Sequence, residues 1–126
     1  MRNILITGGA GFIGSNFTTY WQHNNPEDHI VVLDALTYAG NISSIQELID
    51  QNLITFIVGN ICSRDVVENI FTRYAIDTVV HFAAESHVDR SIESPEEFVQ
   101  TNILGSNVLL SVALNSWKDG FVNKNF

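Results

Sequence analysis

The sequence predicts an α/β fold, a Rossmann-like doubly wound parallel sheet truncated after about four strands. Three observations predict it. Short apolar runs alternate with longer segments of helical character, the runs are nearly continuous rather than alternating in polarity, and a glycine-rich loop joins the first run to the first helical segment.

The apolar runs are Asn3 to Thr7, His29 to Asp34, Leu53 to Gly59 and Asp77 to Ala84. Each is rich in Val or Ile, short, and bounded by turn residues, which suits strands covered on both faces. The first helical segment runs from about Phe12 to His23. Ser44 and Glu47 have capping-box spacing ahead of Leu48 and Ile49, and Ser63 followed by Asp65 opens a segment to Tyr74. Ser94-Pro95-Glu96-Glu97 supplies an N-cap, a proline at the first helical position and carboxylates near the positive dipole end. After it, Val99, Ile103, Leu110, Leu114 and Trp117 recur at helical spacing, which predicts that their face packs on the sheet. The resulting β-α alternation implies right-handed parallel crossovers.

A chain of 126 residues, 45% hydrophobic and 16% charged, suits one globular domain spanning residues 1–126. Its net charge of −8 argues against a phosphate-backbone binder, so no nucleic-acid partner is expected. No apolar run approaches a membrane span, and the opening MRNILITGG is too short for a signal peptide and lacks a cleavage site. The lone Cys62 cannot form an internal disulfide, which fits the cytoplasm.

Gly8, Gly9, Gly11 and Gly14 satisfy both G-x-G-x-x-G and G-x-x-G-x-x-G spacing. Glycines cluster in ordinary turns, so a bare match says little. Here the loop follows a strand, precedes a helix, and is followed 20 positions after Gly14 by Asp34 at the end of the next strand. Glycines there permit a tight turn and close approach of backbone to a pyrophosphate, which the helix N-terminus then meets with unpaired N–H groups. Backbone dipoles thus allow an acidic chain to hold an anion. Asp34 would accept hydrogen bonds from the adenosine ribose hydroxyls. A 2′-phosphate there would meet like charge, and Ala35, Leu36 and Thr37 supply no Arg, so NAD is favoured over NADP. The plainer alternative makes Asp34 a solvated strand-end residue.

The stretch His81 to Ile92, HFAAESHVDRSI, ends the fourth strand and should border the same crevice. His81, His87 and Cys62 match no tight metal-ligand spacing, so no metal is expected, and His81 reads as a partly buried strand residue. Asp89 and Arg90 could pair or cap a turn. Ser86 and His87 are adjacent and would point apart, so they do not read as nucleophile and base. Thr101 and Asn102 are either surface polar residues or a pair facing the crevice.

Four segments together resemble the dTDP-glucose 4,6-dehydratases of the extended short-chain dehydrogenase/reductase superfamily: Gly8 to Gly14, Asp34 to Asn41, Ala83 to Ser91, and Thr101-Asn102. The loop alone points only to the superfamily; the Leu-Thr-Tyr-Ala-Gly-Asn and Ala-Ala-Glu-Ser-His-Val-Asp-Arg-Ser blocks are more specific. The resemblance spans this chain but only the N-terminal part of the family's length. It implies that Gly8, Gly11, Phe12, Ile13 and Gly14 seat the pyrophosphate, and that Asp34, Ala35, Leu36 and Thr37 surround the ribose. It also implies that Asn60 (usually Asp in the family) and Ile61 border the adenine, the Asn60 amide oxygen serving its amino group. Phe82, Ala83, Ala84, Glu85 and Ser86 would line the cofactor, Ser86 would also approach the sugar nucleotide, and Thr101 would approach the nicotinamide side.

The implied reaction is a redox-neutral dehydration of dTDP-glucose to its 4-keto-6-deoxy form, using NAD. The family's Tyr-x-x-x-Lys pair and Thr-Asp-Glu run are absent: Tyr20, Tyr38 and Tyr74 are followed four positions later by Asn24, Ile42 and Thr78. No catalytic residue is therefore assigned, and the chain is expected to stop just before a fifth strand. That leaves the fourth strand with an open edge and the last helix partly uncovered, from which self-association or homo-oligomer formation, or else marginal stability, is expected. The alternatives are a related sugar-nucleotide epimerase or decarboxylase, against which the Ala83 to His87 block counts, and a non-catalytic NAD or nucleotide-sugar binding module.

Overall fold

The computed structural model of the chain describes residues 1–36, 42–83, 92–93 and 95–126. Four parallel strands, β1 (Asn3–Thr7), β2 (His29–Asp34), β3 (Thr55–Val58) and β4 (Thr78–His81), form one sheet in the order β3-β2-β1-β4. Ile4 stands opposite both Ile30 and Thr78, Thr7 opposite Leu33 and His81, and Asp34 opposite Val58. The third and fourth apolar runs pair over a shorter span than their sequence extent.

Near-continuous apolarity in the strands has a direct physical cause. Side chains alternate between faces, and both faces are covered. Leu5, Val31, Leu33 and Val79 enter one core with Val67, Ile70, Phe71, Leu109, Val112, Ala113 and Trp117. Ile4, Ile6, Ile30 and Val32 enter the other, against Phe17, Trp21, Ile45 and Leu48. The first core is roofed by α3 (Arg64–Tyr74) and the helix Ser106–Trp117; the second by α1 (Phe12–Asn24) and α2 (Gln46–Asp50). Helices on both faces make the sheet doubly wound. Each fully buried Val, Leu or Ile side chain contributes about 1.5–3 kcal/mol on transfer from water.

The helix starts differ from the sequence expectation. Ser44 lies in a 3-10 turn (Ile42–Ser44), and α2 is preceded by Ile45 with no side-chain cap, so the capping box does not form. Ile45 is 1% exposed, and burying it outweighs a surface cap. Ser63 occupies the N-cap of α3 without a side-chain cap bond, and that helix ends at Ala75 in a left-handed conformation, φ 49°. Pro95 opens α4 (Pro95–Val99) as expected; its proposed cap Ser94 lies outside the described residues. A π-helical segment, Gln100–Gly105, joins α4 to α5 (Ser106–Trp117).

Two further expectations need correction. Val99, Ile103, Leu110 and Leu114 are exposed, and of the predicted stripe only Trp117 is buried. The sheet-facing stripe is Gly105, Leu109, Val112, Ala113 and Trp117, packed beside α3 and fixed by Trp117 Nε1 donating to the Ile76 carbonyl at 2.8 Å. The open edge of β4 is also partly covered. Asn125 bridges Thr78 in parallel, its N–H donating to the Asp77 carbonyl at 3.0 Å and its carbonyl receiving the Val79 N–H at 2.8 Å.

Candidate functional site

The carboxyl ends of β1, β2, β3 and β4 all reach one end of the sheet, where the strand order reverses between β1 and β4. The turn after β1 begins with Gly8 at φ +70°, a conformation that L side chains rarely adopt. A Cβ on Gly8 would stand 2.7 Å from the Ala83 nitrogen, so this glycine lets the β1 turn lie against the chain leaving β4. A Cβ on Gly14 would collide with the Gly8 carbonyl oxygen, which is how tightly α1 folds back on its own loop. Gly11 is different: a Cβ there would meet only the Gly8 oxygen, at 3.4 Å.

Gly11 is the N-cap of α1, and its carbonyl accepts the Ser15 N–H at 2.8 Å. The N–H groups of Phe12, Ile13 and Gly14 precede the first N–H that donates within the helix, that of Ser15, so the helix does not satisfy them. The Phe12 and Ile13 side chains project outward, 83% and 67% exposed. An open glycine, a run of first-turn donors and a helix dipole can hold a diphosphate without lysine. The first turn of α1 carries no acidic side chain to oppose an anion.

Asp34 is 8% exposed, so the solvated strand-end alternative is set aside. Its Oδ2 accepts the Ala10 N–H at 2.9 Å and its Oδ1 the Leu36 N–H at 2.8 Å. One carboxylate thereby ties the glycine turn to the end of β2 and holds Leu36 at φ 53°. Spacing gives no hint of this internal clamp. Each oxygen keeps a further lone pair for a hydroxyl. Ala35, beside it, is exposed.

At the end of β3, Asn60 is exposed, and its Oδ1 accepts the Cys62 N–H at 2.8 Å. The oxygen expected to serve an adenine amino group is thus already engaged through one lone pair. Ile61 is 4% exposed and belongs to the core, where a Cβ on Gly105 would come within 2.5 Å of it, so its side chain is not free to meet a ligand. Phe82 is half-buried and packs on Phe17 with ring centroids 5.4 Å apart, while Ala83 leans on the opposite core. Thr101 is half-buried within the π-helical segment. Thr37, Ala84, Glu85 and Ser86 lie outside the described residues.

His81 and Cys62 do not come together. His81 lies between Thr7 and Ser106, and burial lowers its pKa. The Cys62 thiol donates to the Gln100 carbonyl at 3.3 Å, and burial pushes its pKa up. Among the described residues no three His, Cys, Asp or Glu side chains gather as metal ligands, and no helix is long and apolar enough to cross a membrane.

A parallel doubly wound sheet with a glycine turn after β1 and a buried acid ending β2 defines the class of Rossmann-type nucleotide-binding folds. Within that class the chain belongs to the GDP-mannose 4,6-dehydratase family, which it matches over residues 5–124. It is 50% identical over 117 residues to the dTDP-glucose 4,6-dehydratase of Haemophilus influenzae, covering 93% of this chain and 34% of that protein. An Escherichia coli dTDP-glucose 4,6-dehydratase is 46% identical over 125 residues, covering 98% of this chain and 34% of the relative. Among solved structures, the dTDP-glucose 4,6-dehydratase of Streptomyces venezuelae, with NAD bound, superposes with a TM-score of 0.83 at 40% identity, over 92% of this chain and 36% of that one. A UDP-glucose 4-epimerase from Thermotoga maritima gives a TM-score of 0.81 at 32% identity, over 91% and 35%. The chain spans about a third of the length of these relatives.

Proposed function

We propose that this chain is the NAD-binding part of a dTDP-glucose 4,6-dehydratase, acting in nucleotide-sugar biosynthesis, and that residues 1–126 form its cofactor-binding Rossmann unit. The observation that carries this reading is the Asp34 clamp. The acid expected to meet the ribose is buried, ionisable and bonded directly to the glycine turn, so one side chain fixes both halves of an ADP seat. Phe12, Ile13 and Gly14 offer N–H groups to the pyrophosphate, with Gly8 and Gly11 shaping the turn. Asp34 accepts from the ribose, with Ala35, Leu36 and Thr37 beside it. Asn60 and the backbone of Ile61 border the base. Phe82 to Ser86 line the cofactor on the β4 side, Ser86 reaching toward the sugar nucleotide, and Thr101 approaches from the opposite helix.

The chemistry a bound nicotinamide supplies is acceptance and return of a hydride. This chain's own part is to bind and orient. No Tyr-x-x-x-Lys or Thr-Asp-Glu occurs in its sequence, so the isolated chain is expected to bind NAD and to turn over no dTDP-glucose. Calorimetry with NAD and NADP tests the seat. Tighter binding of NAD is expected, because a 2′-phosphate would meet the Asp34 carboxylate; equal affinity overturns the assignment. Detection of 4-keto-6-deoxy product from the pure chain overturns the expected inactivity. The epimerase superposition shows that the fold alone does not choose the reaction. The Ala83 to Ser91 block and the identities of 46–50% favour the dehydratase.

We assign the chain to the cytoplasm on its single thiol. We also propose that it self-associates. Val99, Ile103, Leu104, Leu110 and Leu114 are each at least half exposed or nearly so along one continuous helical stretch, and exposed apolar stripes favour association.

A further inference from the structure

A part-buried line of hydrogen bonds crosses the end of the sheet. Thr7, the last residue of β1, is 0% exposed and stands opposite His81 of β4. Its Oγ1 lies 2.6 Å from His81 Nδ1, and His81 Nε2 lies 2.9 Å from Ser106 Oγ. The Ser106 hydroxyl donates to the Asn102 carbonyl at 3.1 Å. A hydroxyl has one hydrogen, so Ser106 can only accept from Nε2, which must carry the proton. In the neutral ring Nδ1 then keeps its lone pair, and the Thr7 hydroxyl donates to it. Thr7 Oγ1 accepts in turn from the Ala83 N–H at 3.4 Å. Every bond in the line has one direction, and the direction requires a neutral imidazole. Burial of the ring favours that form.

The line joins the two walls of the crevice. Ala83 belongs to the chain leaving β4 that Gly8 approaches so closely, and Asn102 adjoins Thr101 in the π-helical segment. We propose that His81, as its neutral Nε2–H tautomer, is a positioning residue that sets how far the Thr101 wall stands from the glycine-loop wall. The inference rests on the NAD-binding reading above. It assigns His81 no contact with ligand. The Asp34 clamp and the α1 N-terminus hold the ADP half without it, so loss of the line should fall on the nicotinamide half.

The test is calorimetry of the full 126-residue chain, as wild type, Ser106→Ala and His81→Phe, with NAD and with ADP-ribose. Thermal melts and long-range 1H–15N imidazole spectra accompany each variant. The wild type should show His81 neutral with Nε2 protonated, and Ser106→Ala should release it into a mixture of tautomers. NAD should bind about tenfold more weakly to both variants, as expected for one lost part-buried hydrogen bond, while ADP-ribose changes little. Unchanged NAD affinity in a folded Ser106→Ala variant, equal losses for both ligands, or an Nδ1–H ring in the wild type overturns the proposal and leaves the NAD-binding reading standing. If His81→Phe fails to fold, Ser106→Ala alone decides, since alanine suits its helical position. A wild-type chain that binds neither ligand overturns the NAD-binding reading, and this inference with it.

Discussion

The two ends of the chain solve the same packing problem with opposite economy. Around β1 and α1 the helix is drawn onto the sheet by small residues: Gly14, Ser15 and Thr18 are the buried positions of α1, and Thr18 Oγ1 returns its hydrogen to the Gly14 carbonyl at 2.8 Å. Along α4, the π-helical segment and α5, bulky residues face both ways. Leu109, Val112, Ala113 and Trp117 are buried, while Ile103, Leu110 and Leu114 face solvent. Close approach leaves backbone donors accessible at the start of α1, which suits a small anion. A helix apolar on two faces suits the core on one side and another surface on the other.

The sharpest way to break this comparison is to truncate adjacent leucines. Leu109→Ala removes a side chain that is 0% exposed and should cost about 2–5 kcal/mol in urea unfolding. Leu110→Ala, at a residue 50% exposed, should stay within about 0.5 kcal/mol when the chain is dilute. The double change Leu110→Lys, Leu114→Lys should shift the chain toward monomer in sedimentation at high concentration. An equal cost for the two alanine changes would mean that the helix presents a different face to the sheet. A wild type that stays monomeric at every concentration would remove the self-association reading.

At the other end, Gly14→Ala is expected to cost about 3 kcal/mol, at the upper end for an overpacked site. The added methyl meets backbone, the Gly8 carbonyl, which cannot rotate away as a side chain could. NAD binding should be lost together with stability. Gly11→Ala is the control that separates them. Its Cβ has room within the protein, so stability should fall by no more than about 1 kcal/mol, the difference between glycine and alanine at an N-cap, while any ligand lying on that open face is displaced. If Gly11→Ala binds NAD as tightly as wild type, the pyrophosphate does not sit there.

These pairs also show why some of the molecule could be read from sequence and some could not. The strands were legible because burial on both faces leaves unbroken runs such as His29 to Asp34. The glycine turn was legible because only glycine tolerates the positions of Gly8 and Gly14. The orientation of the last helix was not, because two apolar stripes share it: Val99, Ile103, Leu110 and Leu114 on one, Gly105, Leu109, Val112 and Ala113 on the other. A π turn holds more residues than an α turn, so Gln100–Gly105 also puts the residues after it out of phase with those before. Nor does any spacing announce the Asp34 clamp or the Thr7–His81–Ser106 line. Both depend on contacts between distant strands and helices, with residues 24 apart in one case and 74 and 25 apart in the other.

That line makes a smaller prediction. Burial holds the folded His81 pKa below the 6.5 of an ordinary histidine, so the unfolded chain takes up a proton there first as pH falls. His81 therefore contributes its full share of stability above pH 6.5, and that share is lost as pH drops through the folded value. Urea melts from about pH 8 to about pH 5 should show the wild type losing more stability than His81→Phe. The difference between the two curves isolates this ring from the other histidines. Parallel curves would show that the ring titrates alike in both states.

The smallest effect concerns a loop far from the crevice. Ala75 closes α3 at φ 49°, donating its N–H to the Phe71 carbonyl, and its side chain is exposed. A left-handed alanine costs roughly 1–2 kcal/mol, whereas glycine is unstrained there but loses about 0.5–1 kcal/mol more in chain entropy on folding. The exposed methyl contributes little packing to offset the strain. Ala75→Gly should therefore stabilise the chain by about 0.5–1 kcal/mol, raising the urea midpoint while leaving the slope unchanged. The Asn3 Nδ2 bond to this residue's carbonyl, at 3.2 Å, does not depend on the side chain and should survive. A loss of stability would mean that α3 ends with a different backbone conformation, since a glycine entropy cost can win only where no left-handed strain is relieved.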